Sequence, residues 1–276
     1  MRKRIVFRLA VGFLCLVPLN GFLLSSGALA QVEHEAAQVV DQFLQAVVQG
    51  DSVIAYDLCT SGLKRGKTAE DFLSSPDTRD IFSGITSWEV LKVLGEGSIV
   101  TAVVKLVNAG GEKESLRALG MKCLKMKGSY RIRDFSPTPW ASSEARYLRY
   151  LSDLYARLDD MDAAEGAITQ AFSLDPNDPK VAAFMGYIYL ENGTNLDEAK
   201  ALILAAHEQA PDDPEFMDFL GWYYHKANQR QESVQWFDRA REAFKNIENH
   251  QSSPEYIRFS NHVSKAKATG WRPTQT

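Results

Sequence analysis

The residues of this chain with chemistry to offer are five histidines, three cysteines, a set of carboxylates and a cationic cluster. His34, His207, His225, His250 and His262 are scattered, and no two stand three or four residues apart, the spacing that places a pair of imidazoles on one helix face around a metal. The pattern predicts no metal site and no cofactor. Asp57 and Asp71 are candidates for a proton-abstracting base, but that work needs a desolvated pocket and a placed donor, which spacing alone does not supply. Lys122, Lys125, Lys127, Arg131 and Arg133 fall on strand-like segments. Alternation sends Arg131 and Arg133 away from Tyr130 and Ile132, onto a solvated sheet face or a dock for an acidic partner. Cys59 and Cys123 either close a disulfide loop of about 64 residues in an oxidising compartment or are two small buried hydrophobes. No constellation here specifies catalysis, and the expectation is a protein that is not an enzyme.

The N-terminus says where such a protein works. Arg2, Lys3, Arg4 and Arg8 precede an apolar run over 9–24, and Ala28-Leu29-Ala30 ends it in small residues. This is the pattern of a secretory signal over residues 1–30, cleaved after Ala30, which predicts a periplasmic or secreted protein. The alternative is an uncleaved inner-membrane anchor formed by residues 9–24, although Pro18 and Asn20 interrupt it. Without those four cations, 27 basic residues face 35 acidic ones, a net charge of −8. An acidic chain with no basic block is a poor match for nucleic acid or an anionic membrane surface.

Two periodicities divide the remainder. Ala36, Val39, Val40, Phe43, Leu44, Val47 and Val48 recur at helical spacing up to Gly50, a second helical piece covers 52–58, and Thr68 reads as an N-cap for 70–73. After Gly84 come four strand-like runs, 88–94, 99–107, 116–126 and 130–135, separated by Gly95-Glu-Gly97, Asn108-Ala-Gly-Gly111 and Lys127-Gly-Ser129. The segments "AAQVVDQFLQAVVQGD", "AYDLCTSGLKR" and "KGSYRIRDFSP" together resemble the cystatin-like domains of the ketosteroid-isomerase-like and nuclear-transport-factor-like families. That resemblance implies an α+β cone over 31–137, with helices on a curved antiparallel sheet, and Pro137-Thr-Pro139 as a linker to a second domain over 138–276.

The second domain repeats itself. The segments "ARYLRYLSDLYARLDDMDAAEGAITQAFSLDP", "PKVAAFMGYIYLENGTNLDEAKALILAAHEQAP" and "PEFMDFLGWYYHKANQRQESVQWFDRAREAF" align at about 34 residues. Tyr155, Tyr189 and Tyr224 correspond, followed by Ala164, Ala199 and Ser233, then Ile168, Ile203 and Phe237, then Ala171, Ala206 and Ala240. This order of small, bulky and small residues, closed by Pro176 and Pro211, resembles the tetratricopeptide repeat. The departures are Ser152 in the place of Gly186 and Gly221, Leu148 and Ala182 where a bulky aromatic is expected, one extra residue in the turn of the second repeat, and Lys245 where a proline is expected. The implied fold is an all-α solenoid of three repeats plus a capping helix, in which Tyr256, Ile257, Phe259 and Val263 cover the open end while Lys265 and Lys267 face solvent.

In such repeats the first helix of each pair lines a concave groove. Carried onto this chain, that lining is Arg146, Arg149, Asp153, Ala183, Tyr187, Leu190, Asp218, Trp222 and His225. The resemblance implies a protein or peptide partner in an envelope assembly, anchored by Tyr187 and Trp222, with Arg146 and Arg149 meeting its acidic groups. Alternatively the solenoid is too short to leave an open groove, and its aromatics pack against the first domain or the linker bearing Trp140. A different function, in which the cone binds or transforms a small apolar ligand and the repeats recruit it to a complex, would require a cavity with convergent polar groups.

Overall fold

A computed structural model of the chain describes residues 26–95, 97–109 and 114–268. The charged and apolar segment before residue 26, including the candidate anchor 9–24, lies outside the described residues, as does Cys15. Among the described residues no helix is long and apolar enough to cross a membrane.

Helix α1 (Ser26–Gln49) carries the apolar stripe and includes Ala30, after which cleavage is expected. It is followed by α2 (Ser52–Asp57), α3 (Ser61–Lys64) and α4 (Pro76–Phe82). Thr68 does not start a helix. Its Oγ1 accepts from the Asp71 amide at 3.2 Å within a run of turns. Strands β1 (Ser87–Leu94), β2 (Ile99–Asn108), β3 (Ser115–Met126) and β4 (Ser129–Pro137) pair antiparallel in chain order, as the glycine-rich turns between them require.

The expected cystatin-like cone does not form. The four strands make an open, uncurled meander in the order β1-β2-β3-β4, with no closure of β4 on β1. Both faces of this sheet are occupied, which is the physical reason. Ala102, Val104, Leu119 and Met121 face α1 and share its core with Phe43, Phe72 and Phe82, whereas Val103 and Ala118 belong to the core of the C-terminal helices. With helices on both faces the sheet is the middle layer of a three-layer packing, not a wall wrapped around α1 alone. Beneath α1 the Phe43 ring lies 5.4 Å from Phe82 and 5.6 Å from Phe135, so side chains fill the space that a cone would have offered to a ligand.

The segment after β4 stays on the sheet. Thr138 exchanges hydrogen bonds with Ala118, and Ala141 with Leu116, at 2.7–3.1 Å. Trp140 lies under the Arg117 guanidinium, 4.6 Å away. Cys59 and Cys123 are both free and buried. Ile132 of β4 pairs with Cys123 on one side and with Cys59 on the other. Two strand spacings, roughly 9–10 Å, therefore separate their backbones, beyond the ~7 Å that a disulfide spans. Burial pushes both thiols up to about 12, which keeps them unreactive.

Six helices follow as three antiparallel pairs: α5 (Glu144–Arg157) with α6 (Met161–Leu174), α7 (Pro179–Asn192) with α8 (Leu196–Gln209), and α9 (Pro214–Lys226) with α10 (Arg230–Lys245). Their starts are encoded locally. Asp178 and Asp213 each cap a helix whose first residue is proline, accepting from the amides of Lys180 and Glu215 at 2.9 and 3.0 Å. Within each pair the small residues set the approach. A Cβ on Gly186 would stand 2.7 Å from the Ala199 carbonyl, and one on Gly221 2.6 Å from the Phe237 ring. Ser152, the departure in the first repeat, donates its hydroxyl to the Ala164 carbonyl at 2.7 Å, so a serine fits where its neighbours need glycine.

A last helix, α11 (Pro254–Ala268), follows a 3-10 turn at His250–Ser252. Alanine at Gly221 should lower stability by about 1–3 kcal/mol through overpacking. Alanine at Gly166, exposed on α6 with open space around it, should raise stability by about 0.5–1 kcal/mol. Thermal denaturation of the two variants beside wild type checks both signs.

Candidate functional site: the concave face of the repeats

Helices α5, α7 and α9 line the concave face and bring the expected groove residues together, but that face is covered. Helix α11 lies against it through Arg258 and His262, one turn apart, while Phe259 continues into the end of the stack against Phe244 at 5.3 Å and Phe237 at 6.3 Å. The helix expected to close only the open end therefore also fills the groove. Val263 is buried with Phe259 as expected, whereas Ile257 points outward at 49% exposure.

Arg258 is the deepest insertion. Its guanidinium bonds Asp153 of α5 and, at 2.5 Å, Glu215 of α9, over the rings of Phe184, Tyr187 and Phe219. Glu215 also meets Arg149 at 3.4 Å and Lys180 at 2.9 Å. Burial alone would raise the Glu215 carboxyl, but Lys180, Arg149 and Arg258 outweigh it and hold the group far below the ordinary carboxylate range. Burial would likewise lower Arg258, and Asp153 and Glu215 reverse that. Arg149 is spent inside this cluster and 5% exposed, so it does not stand ready for acidic groups of a partner. Arg146 remains at the rim and pairs with Asp178 at 3.2 Å.

The second insertion is His262. Its Nδ1 donates to both oxygens of Asp218 at 3.0 Å, and its ring stacks on Trp222 with centroids 4.5 Å apart and planes 7° from parallel. Trp222 in turn stacks on His225 and donates Nε1–H to Glu191 at 2.6 Å. Burial raises the Glu191 carboxyl, but the Trp222 bond and Lys226 at 3.0 Å outweigh it and leave the group below its ordinary value. Tyr187 stacks on Phe219 at 4.8 Å and lies 5.6 Å from His262. Leu190 and Ala183 are fully buried. Trp222 and Phe219 of α9 thus pack against α11, whereas Tyr223 and Tyr224 lie by Lys200 of α8, and Trp140 of the supposed linker lies by Arg117 instead.

Arg258, His262, Glu191 and Glu215 were not singled out by sequence reasoning. The available signal was an arginine and a histidine four residues apart beside Phe259 and Val263, on the stripe that a pure cap would keep apolar. The other candidate groups do not converge. Asp57 and Asp71 are exposed, so neither is a desolvated base, and Lys125 of the cationic cluster pairs with Glu35 at 2.9 Å. Among the described residues no group of three or more His, Cys, Asp and Glu side chains is placed to hold a metal ion.

Residues 155–223 match the family model of the tetratricopeptide repeat. That stretch, from the end of α5 into α9, is a tetratricopeptide-type helical repeat region. Similar solved structures include the first TPR domain of human RPAP3, with 15% identity, 46% of this chain and 97% of that one covered, and a TM-score of 0.33. The first TPR of Spaghetti (RPAP3), bound to the HSP90 peptide SRMEEVD, gives 16%, 46%, 96% and 0.34. The Sgt2 TPR domain from Aspergillus fumigatus gives 17%, 48%, 87% and 0.34. A search of curated proteins finds no match.

The buried cluster has a pH signature. Because the Glu215 carboxyl is held below its ordinary value of 4.5, its contribution to stability is complete above that pH and is lost as pH falls toward the folded-state value. Glu215→Gln leaves Arg258, Arg149 and Lys180 without their shared anion, which should cost about 3–5 kcal/mol at pH 7. Melting curves from pH 7 down to pH 3 should show the gap between wild type and variant narrowing below pH 4.5. Parallel curves would contradict the assignment.

Proposed function

We propose that this protein is an exported, non-enzymatic scaffold that holds a protein or peptide partner of an envelope assembly on the concave face of its repeats. The groove expected to stand open is filled by the chain's own α11, and the reading rests on that face being shaped to seat a helix. A helix already lies on that face, and it is held by inserted side chains rather than by surface contact. Asp153, Tyr187, Leu190, Asp218 and Trp222 form the floor that a partner meets once α11 has moved, and Arg146 and His225 stand at the rim. The match to a repeat family built for recognition supports this reading.

Export rests on the segment over 1–30, cleaved after Ala30, which would put the mature chain in the periplasm or outside the cell. The alternative anchor over 9–24 would keep it at the inner membrane. Affinity capture from native envelope extract, with the mature chain as bait, tests the scaffold reading. Tyr187→Ala with Trp222→Ala should reduce recovery of captured partners by at least about tenfold while the far-ultraviolet dichroism stays helical. Unchanged recovery would remove the groove from the account. The intact mass of the exported protein should begin at Gln31.

A further inference from the structure

We infer that the partner presents an arginine-bearing amphipathic helix, which binds by taking the place of α11. This rests on the scaffold reading above and specifies its partner. Three observations support it. The first is charge. Asp153 and Glu215 come from the first and third repeats and converge on one guanidinium, that of Arg258. When α11 leaves, Asp153 keeps Arg157 on one oxygen and Glu215 keeps Arg149 and Lys180. The Asp153 oxygen that met Arg258 and the Asp218 carboxylate that met His262 lose their donors, so the vacated face favours a donor-bearing cationic side chain over an acidic segment. Arginine rather than lysine fits, because one planar fork reaches both carboxylates at once.

The second observation is that α11 is an imperfect occupant. The Nε–H of Arg258 is buried with no acceptor among the described residues, so a foreign arginine that satisfied every donor would hold the site better. The third is access. A cleft of about 340 Å³ runs along the flank of α11 and exposes part of the same cluster, with Asp153, Tyr187, Arg258, Asn261, His262 and Lys265 in its walls. A side chain of a competing helix can reach the cluster there before α11 has departed. Helix α11 is the last described element and follows the connection over 246–253, so it can swing away without breaking any pairing between α5 and α10. The expected ligand pattern is the one α11 displays: arginine and an aromatic residue, then histidine or another flat ring four residues after the arginine, followed by an aliphatic residue.

The test uses the full chain and a fluorescein-labelled peptide of residues 253–268, read by fluorescence anisotropy. The chain carrying Arg258→Ala and His262→Ala should bind the peptide at least about tenfold more tightly than the wild-type chain, whose own helix competes. Replacing the peptide's arginine by glutamate should weaken binding at least about tenfold. If the double variant loses its helical dichroism, His262→Ala alone takes its place. Equal binding of the arginine and glutamate peptides would overturn the proposed partner chemistry and leave the scaffold reading intact. A folded variant that binds neither peptide would overturn both. Sedimentation showing a wild-type dimer that dissociates on Arg258→Ala would assign the groove to α11 of a second copy, against a separate partner.

Discussion

A guanidinium held between two carboxylates that lie 62 residues apart in the chain organises the C-terminal half of this protein. Asp153 belongs to the first repeat, Glu215 to the third, and Arg258 to the helix after the last. Each of these side chains is at most 10% exposed, so the interaction differs in kind from the exposed pairs such as Lys245 with Glu242. Buried carboxylates of this sort are tolerated only when their charge is met, and Arg149 and Lys180 serve Glu215 from the repeats themselves. Arg149 of α5 already reaches Glu215 of α9 from within the repeats, and a second cation joins Asp153 to the same carboxylate. That second cation is Arg258 of α11, and its two bonds, with the His262–Asp218 pair, hold this helix in the groove as well as over the end of the stack.

A solenoid of three pairs has two open ends, and each finds cover from a different part of the chain. The first end rests on the sheet, where Val103 and Ala118 join the repeat core and Leu154 of α5 lies beside Gly120. The second end is closed by Phe259 against Phe237 and Phe244. Between them, links of one form repeat along the groove edge: Arg146 reaches the N-cap Asp178 at 3.2 Å, and Lys180 reaches the N-cap Asp213 at 2.6 Å. The sheet thus has two duties, a core for α1 on one face and a base for the repeats on the other. Beneath α1, Phe43, Phe82 and Phe135 pack on one another within the first of these cores.

Much of this was legible in the residues. Alternation and glycine-rich turns placed all four strands, and the recurrence of small and bulky residues placed all six repeat helices, because both patterns depend on local geometry. Two things were not legible. Sheet curvature depends on what covers each face, and the alternation of Val103 against Ala102 and Val104 is the same whether the second face meets water or α5. The seating of α11 depends on a contact between residues 105 apart, and Arg258 or His262 in isolation reads as a solvent-facing charge. Only the carboxylates on the opposite wall, Asp153, Glu215 and Asp218, reveal that these two side chains point inward.

The most direct test is amide hydrogen exchange on the full-length protein, comparing wild type with Arg258→Ala. The account predicts that amides over 254–268 are protected in wild type and become exposed in the variant, while α5 to α10 keep their protection. Equal and rapid exchange of α11 in both proteins would show that the helix does not occupy the concave face, and the account would fail at its centre.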